Sequence, residues 1–513
     1  MTRGLDESPS RARSWLEQPL PAITCVIGWL AASATFLALV SFLGGPIEGD
    51  AAESVYSTWA VAHGAFACAY PPSGSYGFPS IAHPYVLIAP LYPVLSGLLS
   101  AVLRVGHVVP FPTVAHLGSH CSTAFAAILQ WSVKASAIQP TINLSYVTWP
   151  ILMAGAVYLL RATNRGRTRW EFAGLMALAV TPPVFMCILD SFHPQDILAM
   201  GLVLGGLGGA LRSRWILAGV LLGLAVTAQQ FSLLAVVPLV VVMNRQDRWP
   251  FAWSFSAAWA AISVPVVLWT SGRALSTALF GSSRISLMGT RSVNSAGGTV
   301  LFGLGLHGLG LFIVSRLAPL LAAALLAYWA ARQLGPNAMR PVPLLSLVGS
   351  SLCLRLIFEE NLFGYYFMAV AVTLLTLDVM RGRIRAEVVA WIGLVTLAFN
   401  PIPWGFYSNW TTYGYDLVRA LPFAGVAVVA GVMLVDLSRR RFRWFLGAWV
   451  VLVVLTCFPQ LWGRGVGVHV VPTWFWQVTL VPVAFYLALR PLLDAVGSTS
   501  HDVAPGEPSP ATI

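Results

Sequence analysis

Long apolar blocks, each closed by a short polar cluster, follow one another along almost the whole chain. Crossing a bilayer at helical rise takes about 20 apolar residues. The blocks predict spans near 21–44, 141–161, 171–190, 197–211, 215–229, 231–243, 250–271, 312–331, 343–358, 364–380, 386–402, 418–437, 443–462 and 473–490. Backbone groups in lipid must bond internally, so blocks this apolar are helices. The short alternating segments of a transmembrane barrel are missing. The expected fold is all-α: a polytopic transmembrane helical bundle of about 14 spans, occupying residues 21–490.

Three blocks, 197–211, 215–229 and 231–243, are shorter than the rest. Short or broken helices at membrane depth need protein or a wet cavity around them, a device that transporters also use. The stretch 45–140 reads differently from the repeated blocks. Tyr85 to Val105 is apolar enough to span, but parity then demands a second crossing near Thr113 to Val133, which contains His116, Ser119 and His120. The preferred reading is a large first outer loop whose helices lie in the interface, where Tyr, Trp and Pro are at home.

Composition agrees with the pattern. The chain of 513 residues is 57% hydrophobic and 10% charged, with mean hydropathy +0.75, whereas soluble domains are roughly 45–50% apolar and about 25% charged. The net charge of +11 invites a nucleic-acid reading, but its placement argues against one. Lys134 is the only lysine, and the arginines fall between blocks: Arg161, Arg165, Arg167 and Arg169; Arg212 and Arg214; Arg245 and Arg248; Arg381, Arg383 and Arg385; Arg439, Arg440, Arg441 and Arg443. With the chain starting inside, all these clusters fall on the cytoplasmic side, the positive-inside pattern. Residues 1–20 are then a cytoplasmic segment, and 491–513 a cytoplasmic tail of disordered composition. The first block is too long for a signal-peptide core and lacks a clear small-residue cleavage site. Of the cysteines, Cys25, Cys187, Cys353 and Cys457 sit in or near spans as small apolar fillers. Cys68 and Cys121 share the first outer loop, where an oxidising compartment would permit them to pair.

Charge near the outer surface is where chemistry is expected, because ionisable groups at membrane depth are costly. The topology gathers Glu48, Asp50, Glu53, Asp190, Asp196, Glu359, Glu360 and Asp416 on that side, with Arg273, Arg284, Arg291, Arg316 and Arg355. Acids and arginines on one face suit a ligand that carries both a hydroxyl and a phosphate. Asp50, directly after the first block, is placed to take a proton from a hydroxyl; the plain alternative is a solvated loop acid. His193 and Asp196 are three apart, and share a face if a helix starts at Pro194. They form a polar site wall or, more plainly, a helix start capped by Ser191 or His193; two ligands do not make a metal site. Gln229 and Gln230 interrupt two apolar runs, where they serve freed backbone groups or a substrate. Arg355, about a turn before Glu359, is either a structural pair with it or a guanidinium for a lipid phosphate. Tyr365 and Tyr366 follow closely. No P-loop, GxGxxG or HExxH is present, so nucleotide and zinc-protease readings lack support.

Three stretches carry a family resemblance: Gly49-Asp50 followed by Tyr56, His63-Gly64 and Tyr70-Pro71-Pro72; His193-Pro194-Gln195-Asp196; and Arg214-Trp215 through Leu224 to Gln229-Gln230. The chain resembles the GT-C superfamily of polyprenyl-phosphate-sugar-dependent glycosyltransferases, in particular the actinobacterial branch related to glycosyltransferase family 87. The second stretch looks like that branch's His-Pro-Glu-Asp motif, and the third resembles a segment that usually ends Ala-Thr-Lys-Gln. The resemblance implies a bacterial plasma-membrane enzyme that transfers mannose, another hexose or a pentose with inversion. The donor is a polyprenyl-phosphate sugar and the acceptor a cell-envelope glycan or glycolipid.

On this reading Asp50 is the catalytic base. His193, Gln195, Asp196, Gln229, Gln230, Arg355, Glu359 and Tyr365 bind substrate. A departing phosphate needs no proton, so one base suffices, with arginine stabilising the developing charge. No cofactor is required, although a divalent metal is compatible. Gln195 stands where the family has Glu, and Gln229 where it has Lys, each removing a charge. The competing readings are a transporter or flippase of a lipid-linked or envelope substrate, and a non-catalytic relative.

Overall fold

A computed structural model of the chain describes residues 49–65, 90–105, 144–165, 181–189, 192–269, 308–359, 364–399 and 473–501, with isolated positions between them. The expected spans at 418–437 and 443–462, nearly all of 21–44, the possible Cys68–Cys121 pair and residues 502–513 of the expected tail lie outside the described residues; the first part of that tail, 491–501, is not disordered but continues the last helix. Among the described residues all regular structure is helical and no strand occurs.

Helices α1 (Gly49–Ala62) and α2 (Leu91–Val105) pack on each other, with the Thr58 and Ser96 hydroxyls 2.7 Å apart. There follow α3 (Thr148–Ala162), α4 (Pro182–Leu189), α5 (Pro194–Leu211), α6 (Trp215–Ala228), α7 (Leu233–Val242) and α8 (Arg245–Trp269). The remainder are α9 (Gly308–Leu334), α10 (Pro341–Phe358), α11 (Met368–Met380), α12 (Ala386–Phe399) and α13 (Thr473–His501). Three-residue to five-residue 3₁₀ turns at Gln230–Ser232, Gly335–Met339 and Gly364–Phe367 precede α7, α10 and α11.

Among the described residues five segments are long and apolar enough to cross a membrane: Pro194–Leu211, Arg245–Trp269, Ile313–Met339, Pro341–Phe358 and Thr479–Ser498. The block expected at 197–211 is therefore longer than its apolar run. Proline, which lacks the N–H that the first helical turn leaves unused, starts α5 at Pro194 and brings the polar Gln195 and Asp196 inside the helix. By contrast α7 has only 10 residues, about 15 Å of helix. It survives because Leu234, Ala235, Val236 and Leu239 are buried among other helices, as short helices at membrane depth require.

Helix α5 is the hub and is almost wholly buried, whereas α8 is mostly exposed. It lies against α3 so closely that a Cβ on Gly155 would stand 2.0 Å from the Gly201 carbonyl oxygen. Only glycine allows such an approach, and small residues let helix backbones pack this way without large side chains. The peripheral helices turn apolar groups outward: Trp249, Trp253 and Leu268 on α8, and Leu317, Leu321 and Leu325 on α9. In water, so much exposed apolar surface would be an aggregation liability; a bilayer accommodates it, and the faces are compatible with lipid contact.

The packing directions separate the charges. Helices α3 and α5 run parallel, as Ile151 meets Gly201 and Leu159 meets Gly208, while α5 and α6 run antiparallel, as Gly206 meets Leu222 and Gly209 meets Ala218. Helix α13 runs antiparallel to α10 and α12, as the contacts of Gln477 with Leu356 and of Arg385 with Leu487 require. One end of the bundle thus collects Arg161, Arg165, Arg212, Arg214, Arg381, Arg383 and Arg385. The other collects His193, Asp196, Gln229, Arg355 and Glu359.

Candidate functional site

The second of these ends is built from segments remote from one another in the sequence. The first is the entry to α5. Phe192 takes φ 45°, a left-handed conformation that a bulky residue adopts only when its surroundings hold it there. The turn sends the His193 N–H back to the Cys187 carbonyl and lays the imidazole flat on Tyr365, with ring centroids 3.9 Å apart. His193 occupies the N-cap position of α5, but its side chain makes no capping bond. Stacking has replaced the capping role that the sequence left open for it.

Asp196, within the first turn of α5, is 1% exposed. Its Oδ1 accepts a bond of 2.5 Å from Gln229 Nε2. The same Gln229 side chain accepts the Gln230 backbone N–H on Oε1 at 3.1 Å. One of the expected uses of this glutamine is present, since it serves the freed backbone where α6 ends; the tie from that end to α5 was not foreseen. Gln230 opens the 3₁₀ turn that follows. Gln195 is 5% exposed, and its amide oxygen has no hydrogen-bond partner among the described residues.

The last turn of α10 supplies the cation. Arg355 Nε donates to Glu359 Oε2 at 3.0 Å, with side-chain exposures of 13% and 7%. Its guanidinium carbon lies 4.5 Å from the Tyr366 ring centre and 5.3 Å from that of Phe231. Such ring faces attract a cation by their quadrupole. Arg316, from the early part of α9, also reaches Glu359 Oε2, at 3.6 Å. Arg355 is in addition within electrostatic reach of Asp196. Tyr366 meets Tyr365 edge-on at 4.5 Å, completing a continuous polar and aromatic wall from His193 to Arg355.

Of the residues expected to bind substrate, His193, Asp196, Gln229, Arg355, Glu359 and Tyr365 stand in this wall, and Gln195 and Gln230 adjoin it in sequence. Asp50 stands in the first turn of α1, and its side chain lies outside the described residues. Its helix joins the same core through Trp59 and Ala60, by way of α2, which touches α5 and α6. Glu48, Asp190, Glu360, Asp416, Arg273, Arg284 and Arg291 also lie outside. No group of three His, Cys, Asp or Glu side chains that could hold a metal occurs among the described residues.

Sequence reasoning passed over Gln477. It is 3% exposed on α13, and its amide donates to the Leu356 carbonyl and, at 3.1 Å, to that of Ile357. A helix leaves its last carbonyls unbonded, and Gln477 satisfies two of them beside Arg355. The readable signal was a lone amide in an apolar run. Taken together, fold and site define an all-α protein with helices of membrane-crossing length and a polar, ring-lined cluster at one end of its bundle. No protein-family model matches the chain, and a search of curated proteins finds no match.

Proposed function

We propose that the chain is a membrane-spanning glycosyltransferase of the GT-C type, moving a sugar from a polyprenyl phosphate to an envelope glycan or glycolipid with inversion. One observation carries this reading. The segments that bear the resemblance or its neighbouring chemistry, around 193–196, 229–231 and 355–366, are remote in sequence yet meet in one cluster opposite the arginine-rich end. On the positive-inside rule the arginine-rich end is cytoplasmic, which puts the cluster at the outer leaflet, where a lipid-linked sugar is presented.

The chemistry balances with few groups. Asp50 takes the acceptor hydroxyl proton, the oxygen forms a bond to the anomeric carbon, and the bond from that carbon to the phosphate oxygen breaks. The leaving phosphate carries away the electron pair and needs no proton. Arg355 and Arg316 oppose the negative charge that grows on it; a guanidinium has five N–H donors in a planar fork suited to phosphate, so sharing with Glu359 leaves donors for a ligand. The exchange of the family's Lys for Gln229 also finds a physical account: an amide N–H₂ donates to the Asp196 carboxylate as an ammonium would, keeping the contact while removing one charge.

The test is transfer of labelled sugar from a polyprenyl-phosphate donor by the full chain in proteoliposomes. Asp50→Asn is expected to reduce transfer by roughly 10²–10⁴-fold, the usual worth of a general base, with unchanged thermal stability. Full activity in that variant rejects Asp50 as the base. Movement of lipid-linked substrate across the vesicle without any new glycosidic bond would instead make the protein a flippase.

A further inference from the structure

The arginine-rich end contains a second cluster that the proposed transfer does not use. Helix α11 ends at Met380, and the chain turns through Arg381, Gly382 and Arg383 before α12. Gly382 has φ +78°, and a Cβ there would lie 3.7 Å from Arg165 Nη1. The end of α3 therefore brings a guanidinium over the turn that already carries Arg381, Arg383 and Arg385.

Three acids engage this cluster. Asp378 accepts from Arg385 Nε on Oδ1 at 2.6 Å and from the Arg385 backbone N–H on Oδ2 at 2.8 Å. Glu171 holds Arg165 at 3.5 Å and takes the Thr168 N–H at 3.0 Å. Asp494, which is 57% exposed, reaches Arg381 at 3.5 Å. Four arginines thus face three carboxylates. Arg383 is exposed and has no salt-bridge partner among the described residues. Arg385, only 6% exposed at its side chain, donates Nε to Asp378 and Nη1 to the Leu487 carbonyl, and its buried Nη2 has no partner among the described residues. Burial, and then the charges of Arg385 and Arg383, hold Arg381 below the ordinary guanidinium pKa, the mark of like charges crowded together. Like charges crowded at one turn are unfavourable, and an anion held there offsets them.

We propose that Arg165, Arg381 and Arg383, around the Gly382 turn, bind an anionic phosphate group at the arginine-rich end of the bundle. Its geometry suits the fork of a guanidinium, which pairs with phosphate through two N–H groups at once. At this depth a phospholipid headgroup and free phosphate offer the same chemistry, and the experiment separates them.

The full chain is placed in nanodiscs of neutral phospholipid with a minor fraction of phosphatidic acid. Retained lipids are counted by native mass spectrometry, and inorganic phosphate is titrated in a parallel series without the anionic lipid. Arg383→Gln removes an exposed side chain and is expected to leave folding intact; Arg165→Gln is the second variant, and Arg332→Gln, which bonds to Tyr328 elsewhere on α9, is the control. A hydrogen bond to a charged group is worth about tenfold or more, so each cluster variant should retain the anionic lipid at least about tenfold less. The Arg332→Gln control forfeits only general surface attraction, about fivefold at most, and cluster variants that lose no more than the control count against the site. Retention of the lipid that depends on Arg165 and Arg383 and withstands inorganic phosphate identifies a headgroup site. Binding of inorganic phosphate that depends on the same arginines in neutral lipid identifies a free-phosphate site. Equal retention by wild type, cluster variants and control, or no preference over neutral lipid, overturns the proposal.

Discussion

The two ends of the bundle use arginine in opposite ways. Around Arg355 the charges are matched and covered: Glu359 accepts from it, Arg316 shares that carboxylate, and the rings of Phe231 and Tyr366 close over the guanidinium. Around Gly382 arginines outnumber the acids that meet them, and only the Asp378–Arg385 pair is deeply enclosed. The difference follows from where the charges came from. Arginines at the arginine-rich end lie between apolar blocks, near the surface, where a charge persists without an enclosing site. Arg355 lies inside an apolar block, where a charge persists only if its surroundings are built for it.

This contrast can be tested by removing one acid from each end and one arginine that has no such partner. The largest effect is expected for Asp378→Ala, since Asp378 is fully buried and holds Arg385 by side chain and backbone. Removing one partner of a buried pair strands the other and costs about 3–5 kcal/mol, readable as a lowered denaturation midpoint in detergent. Glu359→Gln keeps the shape and an acceptor but not the charge, so a smaller loss of about 1.5–3 kcal/mol is expected, the worth of a bond to a charged group. In the same denaturation assay Arg383→Gln should fall within about 0.5 kcal/mol of wild type, as for other exposed substitutions. If Asp378→Ala proved as mild as Arg383→Gln, the enclosed pair would not be what fastens α11 and α12 to α13. A Glu359→Gln protein as stable as wild type would show that the rings and the remaining contacts hold Arg355 unaided.

Much of the bundle was legible in the chain. Helix α6 starts at Trp215 as the apolar block does, α10 ends at Phe358 with its block, and the paired Gln229 and Gln230 mark the break before α7. Hydropathy reads these because the backbone in an apolar environment has few alternatives to a helix. The first turn of α5 was misjudged by apolarity alone, since Gln195 and Asp196 are helical while polar, and Pro194 was the better sign. Asp378 was overlooked although it is a lone acid closing the run Leu374 to Leu377, because its partner lies seven residues on, past a turn. Gln477 and Leu356 are 121 residues apart, and no local pattern joins them.

The sequence alone determined that the chain is helical, where most of the helices run and where the arginines gather, because each of these depends on local apolarity and on charges near one another in the chain. Tertiary packing decided which helix became the buried hub, that Gln229 would hold Asp196, and that His193 would stack on Tyr365 instead of capping its own helix. Those outcomes depend on close crossings such as Gly155 over Gly201, and a contact between distant segments exists only once the backbones that carry them have met.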